Sequence, residues 1–372
     1  MNSQKIITNK RNANIELLRF LFAFGIVLLH CESNALKYVG GYLGVEFFFM
    51  ISGAYLVGNI QKFNNEKNFN DNFFGKIILT FSYTLHKIFK IYPQYILSNI
   101  AAVIIYVFLI KQQKIEMIVV SLISDLFFFQ VLGVDSISLT GIVWFLGALF
   151  YSVLIMTFVI VNTKYDGKKI SALCLIFIGA SLFLLMKTKF SFMQPNTYGS
   201  IFGIKYNTGI LRGIISINLG IIASYLSKKI IKSDRKSNRI FLTISEFVCY
   251  GIAFWYMKNC GDSFSDIFIV LAIFAGVTIT LSQKSFFAHK FDCNVIYKLG
   301  NFSSFWFMNH CCLVSWRKQV FETLKLSFLN DTYKTLLSIL FSVLLTLTVK
   351  YVYDLFIKIK KQTIRSRLKI AE

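Results

Sequence analysis

Apolar runs of about 17 to 22 residues recur from end to end of the chain, each long enough to cross a bilayer as a helix. They fall at roughly 15–32, 43–60, 92–110, 142–161, 170–187, 209–230, 240–257, 265–282, 299–315 and 335–357. The polar breaks are short. The longest runs from Gln61 to Lys76, and no Gly/Ser linker or clear internal repeat stands out. The pattern predicts an all-α fold, a polytopic transmembrane helical bundle of about ten spans, forming a single domain over residues 1–372. The first run lacks a small-residue cleavage site and contains Arg19, so it reads as a first span rather than a removed signal peptide.

A further run, 115–132, carries Glu116 and Asp125, and whether it crosses sets the orientation of everything after it. Suppose it does not cross and the N-terminus is cytoplasmic. About 26 Lys/Arg then lie inside and about 11 outside. If it crosses, the split becomes about 16 to about 21, against the positive-inside rule. Both termini are therefore expected in the cytoplasm, as a short segment at about 1–14 and a basic tail at about 358–372, with 115–132 re-entrant or interfacial on the outer face. This orientation puts Arg19 near the cytoplasmic end of the first span and His30 at its outer end. Glu46, Trp144 and Arg212 lie toward outer ends, Lys87 and Lys90 end a basic cytoplasmic loop, and His310 lies within the ninth span.

Composition narrows the function classes. The chain is 55% hydrophobic with only 2 prolines, which leaves no soluble domain to account for. Its formal charge of +22 belongs to basic loops meeting anionic lipid, not to nucleic acid. The seven cysteines have no metal-ligand spacing, so no metal site is expected, and Cys311-Cys312 reads as helix packing.

Chemistry concentrates in the first two spans. Arg19 and His30 are eleven residues apart; at 100° per residue that is about three turns plus 20°, so both lie on one helix face, about 16 Å apart along the axis. A fixed cation and a proton-transfer group on one line suit a long reagent with an anionic head. Glu46 enters the second span, where a carboxylate needs a partner. His30, across a short loop, is the nearest partner by topology, and an acid bonded to imidazole supports a general base. Gly41, Gly44 and Gly53 would permit close backbone approach. Arg212 either binds an acidic sugar or closes a structural ion pair, Trp144 is an interfacial anchor or a sugar platform, and Asn309-His310 are polar groups set deep in a span.

These residues resemble the acyltransferase-3 family of membrane acyltransferases. Arginine, ten residues, then histidine on the first span is similar to the family's hallmark. Gly44-Val45-Glu46-Phe47-Phe48-Phe49-Met50-Ile51-Ser52-Gly53 is similar to its second-span motif. Lys87-Ile88-Phe89-Lys90-Ile91-Tyr92-Pro93 looks like its basic pair before Ile-Tyr-Pro, although the family usually has two arginines there. Trp144-Phe145-Leu146, Arg212 with Gly220, and Asn309-His310 resemble later motifs.

The resemblance implies a surface-polysaccharide O-acetyltransferase in a bacterial cytoplasmic membrane. It would carry an acyl group, usually acetyl, from cytoplasmic acyl-CoA to a hydroxyl of an extracytoplasmic or lipid-linked glycan, with acetyl-CoA as co-substrate and no bound cofactor. Lys87, Lys90, Arg19 and Tyr92 would hold acyl-CoA, and Trp144, Arg212, Asn309 and His310 would line the acceptor site. His30, oriented by Glu46, would deprotonate the hydroxyl or briefly carry the acyl group. Expected partners are membrane lipid, the glycan and polysaccharide-synthesis machinery, with no nucleic acid. The rival class is a transporter or flippase of a polysaccharide precursor, which would show inverted repeats with broken helices.

Overall fold

Apolar periodicity becomes helix along most of the chain. The computed structural model describes residues 11–31, 36–110, 114–133, 138–188, 192, 197–201, 204–230 and 236–371. Its helices are α1 (Ala13–Leu29), α2 (Gly44–Ala54), α3 (Leu56–Lys67), α4 (Phe73–Phe89), α5 (Tyr92–Ile105), α6 (Ile115–Leu126), α7 (Val143–Asn162) and α8 (Gly167–Lys187). A hairpin of β1 (Tyr198–Ile201) and β2 (Ile204–Asn207) follows. Then come α9 (Thr208–Lys229), α10 (Lys236–Asn259), α11 (Asp266–Ser282), α12 (Asn294–Asn309), α13 (Cys311–Val314), α14 (Arg317–Thr323) and α15 (Asp331–Ala371).

Among the described residues, seven helical stretches are long and apolar enough to cross a membrane: Gly41–Lys67, Tyr92–Ile110, Val143–Asn162, Gly167–Lys187, Thr208–Lys229, Lys236–Asn259 and Asp331–Lys360. The protein is a polytopic helical membrane protein. α1 and α11, with 17 residues each, rise about 25 Å, at the lower end of what spans a bilayer. α6 has 12 residues and rises about 18 Å, short of the hydrocarbon thickness of about 30 Å.

Three elements depart from the hydropathy pattern. The stretch read as a basic loop is mostly α4, which buries Leu79, Tyr83 and Ile88 and exposes Phe73, Phe74, Ile78 and Phe81. Lys76, Lys87 and several hydroxyl residues dilute its hydropathy below that of a span. The basic tail continues the last helix as far as Ala371. The one sheet among the described residues is the antiparallel hairpin, in which Tyr198 faces Asn207. It ends where the Asn207 side chain accepts from Ile210 N (3.2 Å) and caps α9.

α2 and α9 cross where neither can carry a side chain. A Cβ on Gly53 would lie 2.0 Å from Ile217 O, and one on Gly220 would lie 2.0 Å from Met50 O. Two reciprocal glycines thus let the backbones meet, as small residues do between membrane helices. Gly53→Ala or Gly220→Ala is expected to destabilise the protein by about 1–3 kcal/mol, since neither backbone oxygen can step aside. Gly58→Ala, where nothing lies within 4 Å, is the neutral control. Thermal unfolding in detergent checks this, and equal Tm values for all three variants would contradict it.

Candidate functional site

α1 packs beside α12, and its two polar groups both face that neighbour and the segment after it. Arg19, in the second turn of α1, donates from Nη2 to Ser304 Oγ (2.5 Å) and from Nη1 to Glu16 Oε2 (3.3 Å). His30 caps the C-terminus of α1, with Nδ1 3.2 Å from Ser315 Oγ. Ser304 and Ser315 are separated by eleven residues, as are Arg19 and His30, so the two segments run alongside one another in matching register.

Arg19 opens onto a cavity of about 350 Å³ between α1, α2, α3, α4, α5, α7 and α12. Its polar side carries Arg19, Tyr55, Asn59, Lys87, Gln94 and Ser304. Tyr55 marks the break between α2 and α3. Beside that break, Lys87 Nζ donates to Ser52 O at 3.4 Å. Burial pushes the Lys87 ammonium down to about 8, and the charge of Lys90 adds to the shift.

The apolar side of the cavity is aromatic. The Phe48 and Phe307 rings stack at 5.5 Å, and Phe145 meets Phe307 edge-on at 5.2 Å. Adjoining Phe307, at 6.1 Å between ring centroids, is His310. The helix ends at His310, and its Nδ1 lies 2.9 Å from Phe307 O and 3.3 Å from Trp306 O. Carbonyls only accept, so Nδ1 carries the proton and the neutral ring presents Nε2 as a lone pair. That Nε2 is buried and has no partner among the described residues. The His30 ring is 5.2 Å away, and Ser315 Oγ lies 3.2 Å from Cys311 Sγ. A buried basic nitrogen, a second imidazole and a hydroxyl therefore meet at one place, next to an aromatic-walled cavity.

The expected pairing of Glu46 with His30 does not form. Glu46 is fully buried and accepts from Arg212 Nε (2.8 Å) and Nη2 (2.6 Å) on one oxygen and from Ser216 Oγ on the other. The glycine crossing of α2 and α9 presents a guanidinium to the acid, and a buried carboxylate gains more from that doubly donating cation than from a neutral imidazole. Arg212 also donates to Phe192 O and, at 3.4 Å, to Tyr42 O. Its guanidinium lies between the rings of Trp144 (4.9 Å) and Phe192 (5.4 Å). Of the two readings open for Arg212, the structure forms the ion pair, and Trp144 is the aromatic lid on it.

Two further residues fall elsewhere. Tyr92, expected at the donor, gives its hydroxyl to Leu126 O (2.8 Å) and packs its ring on Phe128. Lys90 is exposed at the end of α4 and lies outside the cavity lining. Ile91 and Gln94 of the same stretch do line the cavity, so it is the side chains of Lys90 and Tyr92, and not the backbone, that lie outside it. Asn309 is buried; its Nδ2 donates to Phe305 O (2.7 Å), and its Oδ1 is unpartnered among the described residues. No cluster of three His, Cys, Asp or Glu suited to a metal occurs among the described residues.

A family model, that of the acyltransferase domain of the acyltransferase-3 type, matches residues 12–354. The chain belongs to the acyltransferase-3 family. No curated protein and no solved structure matches it. Membership makes this a multi-pass membrane acyltransferase, and the match runs from the cap of α1 into α15, spanning every residue of the site. Among this acyltransferase-3 chain's own residues, sequence reasoning missed Ser304, Ser315, Tyr55 and Gln94. The eleven-residue echo of Arg19–His30 was a legible signal for the two serines; nothing local singled out the other two.

Proposed function

We propose that the protein transfers an acyl group, acetyl foremost, from cytoplasmic acyl-CoA to a hydroxyl of an extracytoplasmic or lipid-linked glycan, in a bacterial cytoplasmic membrane. One observation carries the reading: a cavity with Arg19 and Lys87 on its polar side and, on its aromatic side, Phe307 beside the unpartnered Nε2 of His310. CoA has a polyanionic nucleotide end and a long thin arm. Arg19 and Lys87 supply charge for the first, and the apolar walls suit the second. In this scheme His310 Nε2 accepts the proton of the acceptor hydroxyl as it attacks the thioester carbon, and the C–S bond then breaks, the proton passing from His310 to the departing coenzyme thiolate. His30, hydrogen-bonded to Ser315, relays or receives charge beside it, or carries the acyl group briefly. Glu46 acts one step removed, holding α2 and α9 together through Arg212. The glycan and the polysaccharide-synthesis machinery are the partners this reading requires.

The test is transfer by purified protein in proteoliposomes with labelled acetyl-CoA supplied on one side, and mass spectrometry of the glycan from cells with and without the gene. Coenzyme release that depends on His310 and His30, together with loss of glycan acetyl groups, supports the reading. Movement of glycan precursor without any use of acetyl-CoA would defeat it in favour of a transporter.

Lys87→Ala is expected to raise the donor KM about 5- to 20-fold with a smaller change in kcat, as loss of a charge-assisted contact does. Donor affinity should also fall as pH rises through about 8, because the ammonium that attracts the phosphate is lost there. A donor KM that stays flat from pH 7 to 9 would remove Lys87 from the donor site.

A further inference from the structure

A second cavity, of about 390 Å³, opens at the start of α1. Arg19, Ile51 and Tyr55 line it as well as the first cavity, so the two meet at the Arg19 side chain. Its polar side carries Arg11, Asn12, Glu16 and Gln283, and Ile15 and Leu281 add apolar surface. Both arginines keep accessible surface, 52% for the Arg11 side chain and 27% for that of Arg19. Glu16 is the acid in this lining. Arg11 donates from Nε to Glu16 Oε1 (3.1 Å) and from Nη2 to Oε2 (2.9 Å), and Arg19 donates from Nη1 to the same Oε2 (3.3 Å). Arg11 sits two residues before α1, where Tyr297 of α12 donates to its carbonyl (3.0 Å) and sets a ring 5.8 Å from its guanidinium.

Two guanidiniums against one carboxylate leave a positive charge over. A guanidinium has five N–H donors and a carboxylate about four acceptor sites, so hydrogen-bond donors are left over too. Such a cation, open to solvent on one side, suits a phosphate. Size points the same way. Pockets for drug-sized ligands hold about 300–1,000 Å³. Coenzyme A is larger than most such ligands, and the first cavity offers only about 350 Å³. The order of groups also agrees. Away from its thioester, an acyl-CoA runs through the thin arm to the pyrophosphate, then to the ribose phosphate and adenine. Away from the histidines, the protein runs from the aromatic wall to Arg19 with Lys87, then to Arg11.

We propose that this second cavity holds the nucleotide end of the acyl donor and that Arg11 reads its ribose phosphate. The inference rests on the acyl-CoA reading above and adds a specificity-determining residue to it. Arg19 and Lys87 take the pyrophosphate, the adenine lies on Ile15 and Leu281, and the ribose phosphate takes the Arg11 donors that Glu16 leaves over. A donor without that phosphate leaves Arg11 in its pair with Glu16. The protein thereby separates coenzyme A from its dephospho form.

Full-length protein in neutral detergent is titrated calorimetrically with coenzyme A or with dephospho-coenzyme A. Neither carries an acyl group, so no turnover intervenes. Coenzyme A is expected to bind about 5- to 20-fold more tightly, the effect of a charge-assisted contact discounted for a half-exposed cation. Arg11→Gln should bring the two ligands within about two-fold of each other by weakening coenzyme A alone. The substitution lies at an exposed position before the helix, and the comparison of ligands on the unaltered protein needs no variant. Lys87→Ala should weaken both ligands by a similar factor. Phosphatidylglycerol, which brings a lipid phosphate, should leave the preference unchanged when added to the detergent. Equal affinities in the unaltered protein, a preference that survives Arg11→Gln, or its loss to phosphatidylglycerol would each overturn the proposal. With Lys87→Ala still weakening both ligands, the acyl-CoA reading would stand in those cases. Binding of neither ligand would overturn both.

Discussion

His310→Ala is expected to lower acyl transfer by about 10²- to 10⁴-fold while changing the donor KM little, the range lost when a positioned general base is removed. The expectation rests on how the ring is held. Two carbonyls of α12 fix the proton on Nδ1, so Nε2 is an acceptor in the neutral ring; it is buried, and a substrate reaches it only as neighbouring side chains move aside. A buried basic nitrogen with no partner is costly to keep unless a substrate proton fills the gap. His30→Ala should give a loss of similar size, and the double variant little more, because two groups acting on one proton path are not additive. Initial rates of acetyl transfer in proteoliposomes decide this. Retention of more than about a tenth of the activity by His310→Ala would show that its lone pair is not used.

The second large effect concerns stability. Glu46→Ala or Arg212→Ala is expected to cost about 3–5 kcal/mol, because each leaves an uncompensated charge in a fully buried place. Removing both charges at once, as in Glu46→Leu with Arg212→Met, should recover most of that loss, since neither desolvation nor attraction then remains. Glu46→Gln is the milder probe, as it keeps the shape and two acceptor–donor contacts. Its effect on turnover should track its effect on Tm if the acid serves the site only by bracing α2 against α9. Unfolding temperatures and turnover measured on the same detergent preparations separate the cases. A Glu46→Gln variant with normal Tm and no activity would place the carboxylate in the chemistry itself.

Much of the architecture could be read from hydropathy because lipid leaves a backbone few alternatives to the helix. Arg19, His30 and the glycines of the second span were legible for the same reason: charges and missing side chains are conspicuous in an apolar background. Partnerships were harder to read. Glu46 looked across the short loop to His30, but its partner is 166 residues away, brought near by the Gly53–Gly220 crossing that no local spacing announces. Lys87, Lys90 and Tyr92 formed one motif on paper, and of their side chains the first lines the cavity and the other two lie outside it. The phenylalanines were the least readable. The chain has forty, the described ones cover lipid faces and packing surfaces alike, and only the folded chain distinguishes Phe48, Phe145 and Phe307 as walls of the cavity.

Those three rings bear on the membrane's permeability. A protein that reaches into a bilayer from one side risks becoming a leak, through which protons would follow water and dissipate the gradient the cell maintains. Interlocked aromatic edges and faces offer water no hydrogen bonds, so the aromatic wall beside the histidines stays dry when empty. On the proposed function, the thin arm of an acyl-CoA would lie against these rings, and its apolar contact with them would keep water out of the space it fills.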